Sequence, residues 1–146
     1  MARRDAVKVS VVWAAVGWTA LYVASKVHLA LEERLGVTGG PHVAADSYRD
    51  YGPGEVARAQ WANAALGLLI VGVLVAALFT ARHRWPRRIL LAVLAVCTAM
   101  AAAGAIGMLG GAIFTERGGA VFGGYCAVWA VLLFLAGRDV HRRRAG

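Results

Sequence analysis

Residues that carry chemistry are scarce in this sequence. There are two cysteines, Cys97 and Cys126, each near the middle of an apolar stretch and with no Cys-x-x-Cys spacing. They read as small hydrophobic fillers, which sets aside thiol–disulfide chemistry. No pair of Cys or His residues has metal-ligand spacing. Of the four histidines, His83 and His141 fall on the opposite side of the membrane from His28 and His42, and only one apolar run carries a histidine within it. A haem held between facing helices is therefore not expected, nor is any other cofactor or metal. Asp, Glu, Lys, Arg and His are also missing from the central portions of three of the four apolar runs. Coupled carriers place such groups near the midplane, so coupled transport is disfavoured. The runs lack the strict in/out alternation of barrel strands as well, which excludes a spanning β-barrel.

What the chain has in abundance is apolar length. Of 146 residues, 60% are hydrophobic, and the mean hydropathy is +0.60, too apolar for a soluble domain of this size. A hydrocarbon core about 30 Å thick takes roughly 20 helical residues to cross. Four runs meet that length: Val9 to Leu31, Trp61 to Thr80, Ile89 to Phe114 and Gly119 to Ala136. The expected fold is all-α, a polytopic membrane protein built as an antiparallel four-helix transmembrane bundle in one domain. The first run follows Arg3, Arg4 and Lys8 as a secretory signal would. It is too long for one and ends in Lys26, His28, Glu32 and Glu33 rather than a cleavage site, so it reads as a mature helix.

Charge predicts the orientation. Assigning the N-terminus, the 82–88 loop and the C-terminus to one side collects Arg3, Arg4, Lys8, Arg82, Arg84, Arg87, Arg88, Arg138, Arg142, Arg143 and Arg144 against Asp5 and Asp139, a net +9. The other side holds Lys26, Arg34, Arg49, Arg58 and Arg117 against Glu32, Glu33, Asp46, Asp50, Glu55 and Glu116, a net −1. By the positive-inside rule both termini are cytoplasmic, in a bacterial cytoplasmic membrane. The basic clusters HRWPRR and HRRR sit at helix ends and read as anchors to anionic lipid, not as a nucleic-acid surface, although the isoelectric point is near 10.5.

The connections are unequal. Arg82 to Arg88 and Thr115 to Gly118 are short and force antiparallel neighbours, with Pro86 placed to open the third helix. The segment 32–60 is long, faces outward and is the main feature of the chain. Gly36, Gly39, Gly40 and Pro41 mark one break in it, and Gly52, Pro53 and Gly54 another. HVAADSYRDY between them predicts a short interfacial helix starting at Pro41, with Tyr48 and Tyr51 at head-group level. Residues 55–60 extend the second helix outward, Glu55 meeting the positive end of its dipole.

Two constellations stand out. Gly107 and Gly111 in the third helix, with Gly104, oppose Gly119 and Gly123 in the fourth, with Gly124. Small residues four apart let lipid-exposed helices approach, which predicts a tight hairpin, with a dimer interface as the alternative. The second is SKVHLALEER, where Ser25, His28 and Glu32 share one helical stripe and Tyr22, Lys26 and Glu33 a neighbouring one. Each stripe has room for an ion pair, His28 with Glu32 and Lys26 with Glu33. Together with Trp61 and Asn63, the residues Lys26, His28 and Glu32 form a candidate ligand site. The plainer alternative is a lysine at the head-group boundary that snorkels to water.

The segments SKVHLALEERLGVTGG and YGPGEVARAQWANAALGLL resemble the small four-helix membrane proteins common in high-GC actinobacteria, in which a Lys- or His-bearing end of the first helix leads into a Gly-rich outer loop and a Trp/Asn start to the second. The likeness covers most of the chain, and fourteen Arg against two Lys agrees with such a genome. It implies no reaction and no ligand, so no catalytic residue is carried over. The leading expectation is a non-enzymatic accessory or interaction protein, touching the lipid bilayer and a membrane-protein partner or a second copy. The alternative is a small-molecule or lipid binder or transporter using the polar end of the first helix. An enzyme using His28 and Glu32 as acid and base ranks last, lacking a second polar helix to complete a site.

Overall fold

A computed structural model describes residues 2–79, 84–115 and 119–142, with the side chains of 2–10, 84 and 85 left aside. The expected turns at 80–83 and 116–118 and the terminal Arg143 and Arg144 lie outside the described residues. Four helices follow one another: α1 (Ala2–Leu31), α2 (Glu55–Phe79), α3 (Arg84–Phe114) and α4 (Ala120–Arg142). Each contains a segment long and apolar enough to cross a membrane: Val11–Leu31, Glu55–Phe79, Pro86–Phe114 and Ala120–Arg142. α1 and α3 begin before their apolar segments because a helix continues to satisfy its own backbone past the hydrocarbon, into charged turns. Pro86 stands in the first turn of α3, where its missing N–H costs nothing.

Local chemistry sets the helix ends that frame the long connection. At the end of α1, Glu33 takes a left-handed conformation with φ 51°. The Arg34 N–H reaches the Leu29 carbonyl at 2.9 Å and the Glu33 N–H the Ala30 carbonyl at 3.3 Å, the paired bonds of a Schellman stop. Before α2, Gly52-Pro53-Gly54-Glu55 closes with the Glu55 N–H on the Gly52 carbonyl at 3.1 Å and Gly54 at φ 72°. Proline second and a positive-φ glycine third are the marks of a type II turn. The Glu55 carboxylate accepts from the Gly52 N–H at 2.9 Å and pairs with Arg58 at 3.1 Å, so α2 starts with an anion at its positive end.

The packing is two hairpins, α1 with α2 and α3 with α4, joined mainly along α1 and α4; α2 and α3 barely touch. The apolar core lies in the half of the bundle remote from the long connection, where Val12, Ala15, Leu74, Ala77, Leu94, Leu133, Ala136 and Val140 are buried together. Nearer the connection the α1–α4 seam turns aromatic. Trp18 stacks on Tyr125 with centroids 4.9 Å apart, and Tyr22 meets Trp129 at 5.1 Å. The Trp18 indole donates to the Tyr125 carbonyl at 3.2 Å, and the Tyr125 hydroxyl donates back to the Trp18 carbonyl. Trp129 donates to the Thr19 hydroxyl at 3.0 Å, which in turn donates to the Ala15 carbonyl at 2.8 Å. Each ring thus adds large contact area and a satisfied polar end, and interhelical hydrogen bonds in lipid contribute about 0.6 kcal/mol each on average.

The glycines divide by role. An added Cβ at Gly123 would lie 2.7 Å from Leu109 Cγ and 3.0 Å from the Leu109 backbone nitrogen, so α3 and α4 are in close approach there. At Gly104 it would meet Cys126 Sγ at 3.4 Å, and at Gly107 it would meet nothing within 4 Å. Gly111 is half-buried, and its carbonyl accepts from the backbone and hydroxyl of Thr115. Gly119 faces the long connection rather than α3: its Cβ would come within 2.7 Å of Pro41 Cδ and 3.0 Å of Gly40 Cα. A further close approach, at Gly67, brings α2 against Val23 and Tyr22 of α1.

Candidate functional site

The long connection, residues 32–54, folds back over the ends of α1 and α4. Two buried polar side chains hold it. Lys26, 5% exposed, donates from Nζ to the Gly36 carbonyl at 2.7 Å and stands 5.6 Å from the centroid of the Tyr22 ring. Gln60, 2% exposed, donates from Nε2 to the Arg34 carbonyl at 2.7 Å and the Gly36 carbonyl at 3.3 Å. Two carbonyls facing one end of the amide fix which end is nitrogen, since the reverse orientation would set oxygen against oxygen. Gln60 Oε1 is left buried without a donor. The lysine therefore neither snorkels nor pairs with Glu33. The chain beyond Leu31 turns back over it, and its charge is met by a carbonyl and an aromatic face instead of water.

Further bonds seat the rest of the loop. The Leu35 N–H donates to the Tyr48 hydroxyl at 3.1 Å, which ties that tyrosine to the turn after α1. Ser25 and Thr38 share a hydroxyl–hydroxyl bond of 2.7 Å, and the Thr38 N–H donates to Ser25 Oγ at 3.3 Å. The Phe122 N–H, one of the unpaired donors of the first turn of α4, reaches the Gly39 carbonyl at 3.2 Å. The interfacial helix expected from Pro41 is reduced to a single 3₁₀ turn, Ala45–Tyr48, with no buried residue. Pro41 is taken up by its contact with Gly119, Ala44 is extended, and no side chain caps the turn.

Two cavities lie beneath and beside this cap. One is an apolar slot of about 320 Å³ between α1 and α4, lined by Leu21, Tyr22, Ser25, Thr38, Phe122 and Tyr125. Leu21 is 60% exposed, so the slot opens outward from the bundle, toward lipid. The other, of about 470 Å³, is walled by the loop itself and by the end of α1, with His28, Arg34, Thr38, His42 and Tyr48 as its polar side chains. Thr38 lines both cavities. The Ser25–Thr38 bond thus marks the boundary between an apolar and a polar compartment.

The residues singled out from sequence are only partly brought together. His28 Nε2 and Glu32 approach to 3.5 Å, and Arg34 completes the cluster on the same carboxylate at 3.1 Å, all three partly exposed. Lys26 faces inward, behind the loop. Trp61 is 47% exposed and Asn63 half-buried on α2, and neither lines either cavity. Gln60, the adjacent residue, is the one that reaches the loop, as an anchor to its backbone rather than as a lining residue. Apart from Tyr22, the aromatic side of the site is not among the residues singled out from sequence, although Trp18 and Tyr22 stand four apart, and Phe122, Tyr125 and Trp129 fall at helical spacings of three and four. Among the described residues no group of three or more His, Cys, Asp or Glu could hold a metal ion. No protein-family model, curated protein or solved structure matches the chain.

Proposed function

We propose that this chain is a non-enzymatic, multi-pass membrane protein that binds an amphiphile at the loop end of the α1–α4 seam. The apolar portion occupies the slot and the polar portion the cavity under the loop. One observation carries the reading: an apolar cavity open toward lipid and a polar cavity outside it meet at a shared residue, Thr38. That is the order of environments an amphiphile needs, and the polar end of α1 borders both. The charge distribution supports placing the loop on the outer face of a bacterial cytoplasmic membrane with both termini cytoplasmic. Ligand would then enter from the outer leaflet.

Leu21→Trp tests the proposal by filling the slot from its exposed edge, with Leu31→Trp as a control; Leu31 is 72% exposed and lines neither cavity. The measurement is the amphiphile retained per chain after gentle detergent extraction, identified by mass spectrometry. The expected result is one retained molecule in the parent and in Leu31→Trp, and at least a ten-fold loss in Leu21→Trp. Equal retention in all three would contradict the proposal.

A second reading, an accessory protein that docks on another membrane protein through its loop, is favoured by a different observation. The loop and the start of α2 carry exposed ion pairs, Arg49–Asp46 at 3.0 Å and Arg58–Glu55 at 3.1 Å, on a segment whose position is already set from below. Pre-ordering removes much of the entropy cost that a free loop would meet on binding.

A further inference from the structure

At the end of the bundle remote from the loop, an open groove of about 560 Å³ runs along the seam between α3 and α4. Its α3 wall is Leu91, Leu94, Ala95, Thr98, Ala99 and Ala102, and its α4 wall is Leu133, Phe134, Gly137, Arg138 and His141. Both sets recur every three or four residues, so each is one continuous helix face. The trough is open along its length, with the buried Leu94 and Leu133 beside the small side chains Ala95, Ala99 and Ala102, and it faces outward, with Phe134 58% exposed on its rim. Its chemistry is graded. Deep in the span it is apolar apart from Thr98, whose hydroxyl turns back onto the Leu94 carbonyl at 2.7 Å, whereas at the helix ends Arg138 and His141 line it, both exposed and one turn apart. Arg88, also exposed, lies one turn beyond Leu91 and close to the helical stripe of Ala95. Among the described residues, none that lines the groove is a carboxylate.

Length matches one leaflet. From Leu91 to Ala102 the helix rises about 16 Å at 1.5 Å per residue, against about 15 Å for half of a 30 Å hydrocarbon core. The groove therefore runs from the head-group level to about the bilayer midplane, and the charged side chains among its described lining stand at the head-group end. We infer that it binds a single anionic phospholipid, with one acyl chain along Ala95, Ala99 and Ala102 and the phosphate held by Arg138, with Arg88 and His141 beside it. Arginine suits that role because its planar fork meets phosphate oxygens two at a time. This site is separate from the loop-end cavities, at the opposite end of the chain's helices.

The test places the protein in nanodiscs of equimolar phosphatidylcholine and phosphatidylglycerol, then counts by native mass spectrometry the lipids that stay on each chain. One phosphatidylglycerol should be retained in clear preference to phosphatidylcholine. Arg88→Gln with Arg138→Gln should lower that retention about ten-fold or more, from the attraction each arginine contributes at an anionic surface. Ala99→Phe, which blocks the groove without altering charge, should lower retention of the same lipid. Arg142→Gln, an exposed arginine outside the groove, and Val131→Phe, on the outward face of α4, should leave it unchanged. Equal retention of the two lipids by the parent, insensitivity to Ala99→Phe, or an equal loss in Arg142→Gln would overturn the site.

Discussion

Gly123→Ala should destabilise the bundle by about 1–3 kcal/mol, the usual cost of overpacking. Gly107→Ala, in the glycine pair of the facing helix, should stabilise it by roughly 0.5–1 kcal/mol. The two substitutions are chemically identical, so the opposite signs isolate geometry. At Gly123 the new methyl meets Leu109 both in its side chain and in its backbone nitrogen, at 3.0 Å, and backbone cannot rotate away. At Gly107 it meets nothing within 4 Å, leaving only the gain from a stiffer helix. Gly119→Ala separates a third case, because its methyl would meet Pro41 and Gly40 of the loop and should loosen the cap while sparing the α3–α4 contact. Reversible unfolding in mixed micelles with rising SDS reads the first two effects. Equal changes at Gly107 and Gly123 would contradict the packing.

The second large effect concerns the loop. Lys26 and Gln60 both donate to the Gly36 carbonyl, at 2.7 and 3.3 Å. Lys26→Met or Gln60→Leu alone leaves that carbonyl one donor, whereas the double variant leaves it none. A typical hydrogen bond contributes about 0.5–1.5 kcal/mol, and an unsatisfied buried group costs about 1–3 kcal/mol. Each single change should therefore raise the frequency of loop opening by roughly five- to ten-fold, and the double change by more than the product of the two. Trypsin cleavage after Arg49, which follows the 3₁₀ turn and is fully on the surface, reports that opening. Global stability should respond differently. Met fills most of the volume of Lys without the desolvation of a buried ammonium, so Lys26→Met should leave the unfolding of the helices unchanged or raise their stability while the loop is released. A double-variant rate equal to the product of the two single effects would show that the two residues act on unconnected parts of the loop.

How far sequence reaches here follows from which forces are local. Four runs of apolar residues had to be helices, because a bilayer offers the backbone no other partner, and their number and order agree with the structure. Residues 55–60 were legible as part of α2 because a glycine–proline turn and an acidic start precede them. Lys26 was legible as unusual, because a cation at the edge of a span calls for a reason. Its partner was not, since Gly36 lies ten residues on, and reaching it depends on how Glu33 turns the chain. Gln60 was passed over for Trp61 and Asn63, chemically richer but on faces of α2 that turn away from the loop cavities; one helical residue is a rotation of 100°, and only packing decides which face is inward. Glycine spacing showed where α3 and α4 could approach. It did not show that the loop would claim Gly119, a contact between segments nearly eighty positions apart. The two cavities were beyond reach for the same reason, being spaces between elements rather than properties of any one of them.

Everything at the loop end depends on residues 32–54 being a fixed cap. Hydrogen exchange of the protein in lipid nanodiscs, resolved over Arg34 to Gly40, tests this most directly. The Arg34, Leu35, Thr38 and Gly40 amides donate to the Leu29 carbonyl, Tyr48 hydroxyl, Ser25 hydroxyl and Val37 carbonyl respectively. They should exchange at least a hundred-fold more slowly than an open chain, corresponding to about 2.7 kcal/mol or more of local stability. Exchange of these four amides at the rate of an unstructured peptide would mean that no cap and no preformed polar cavity exist.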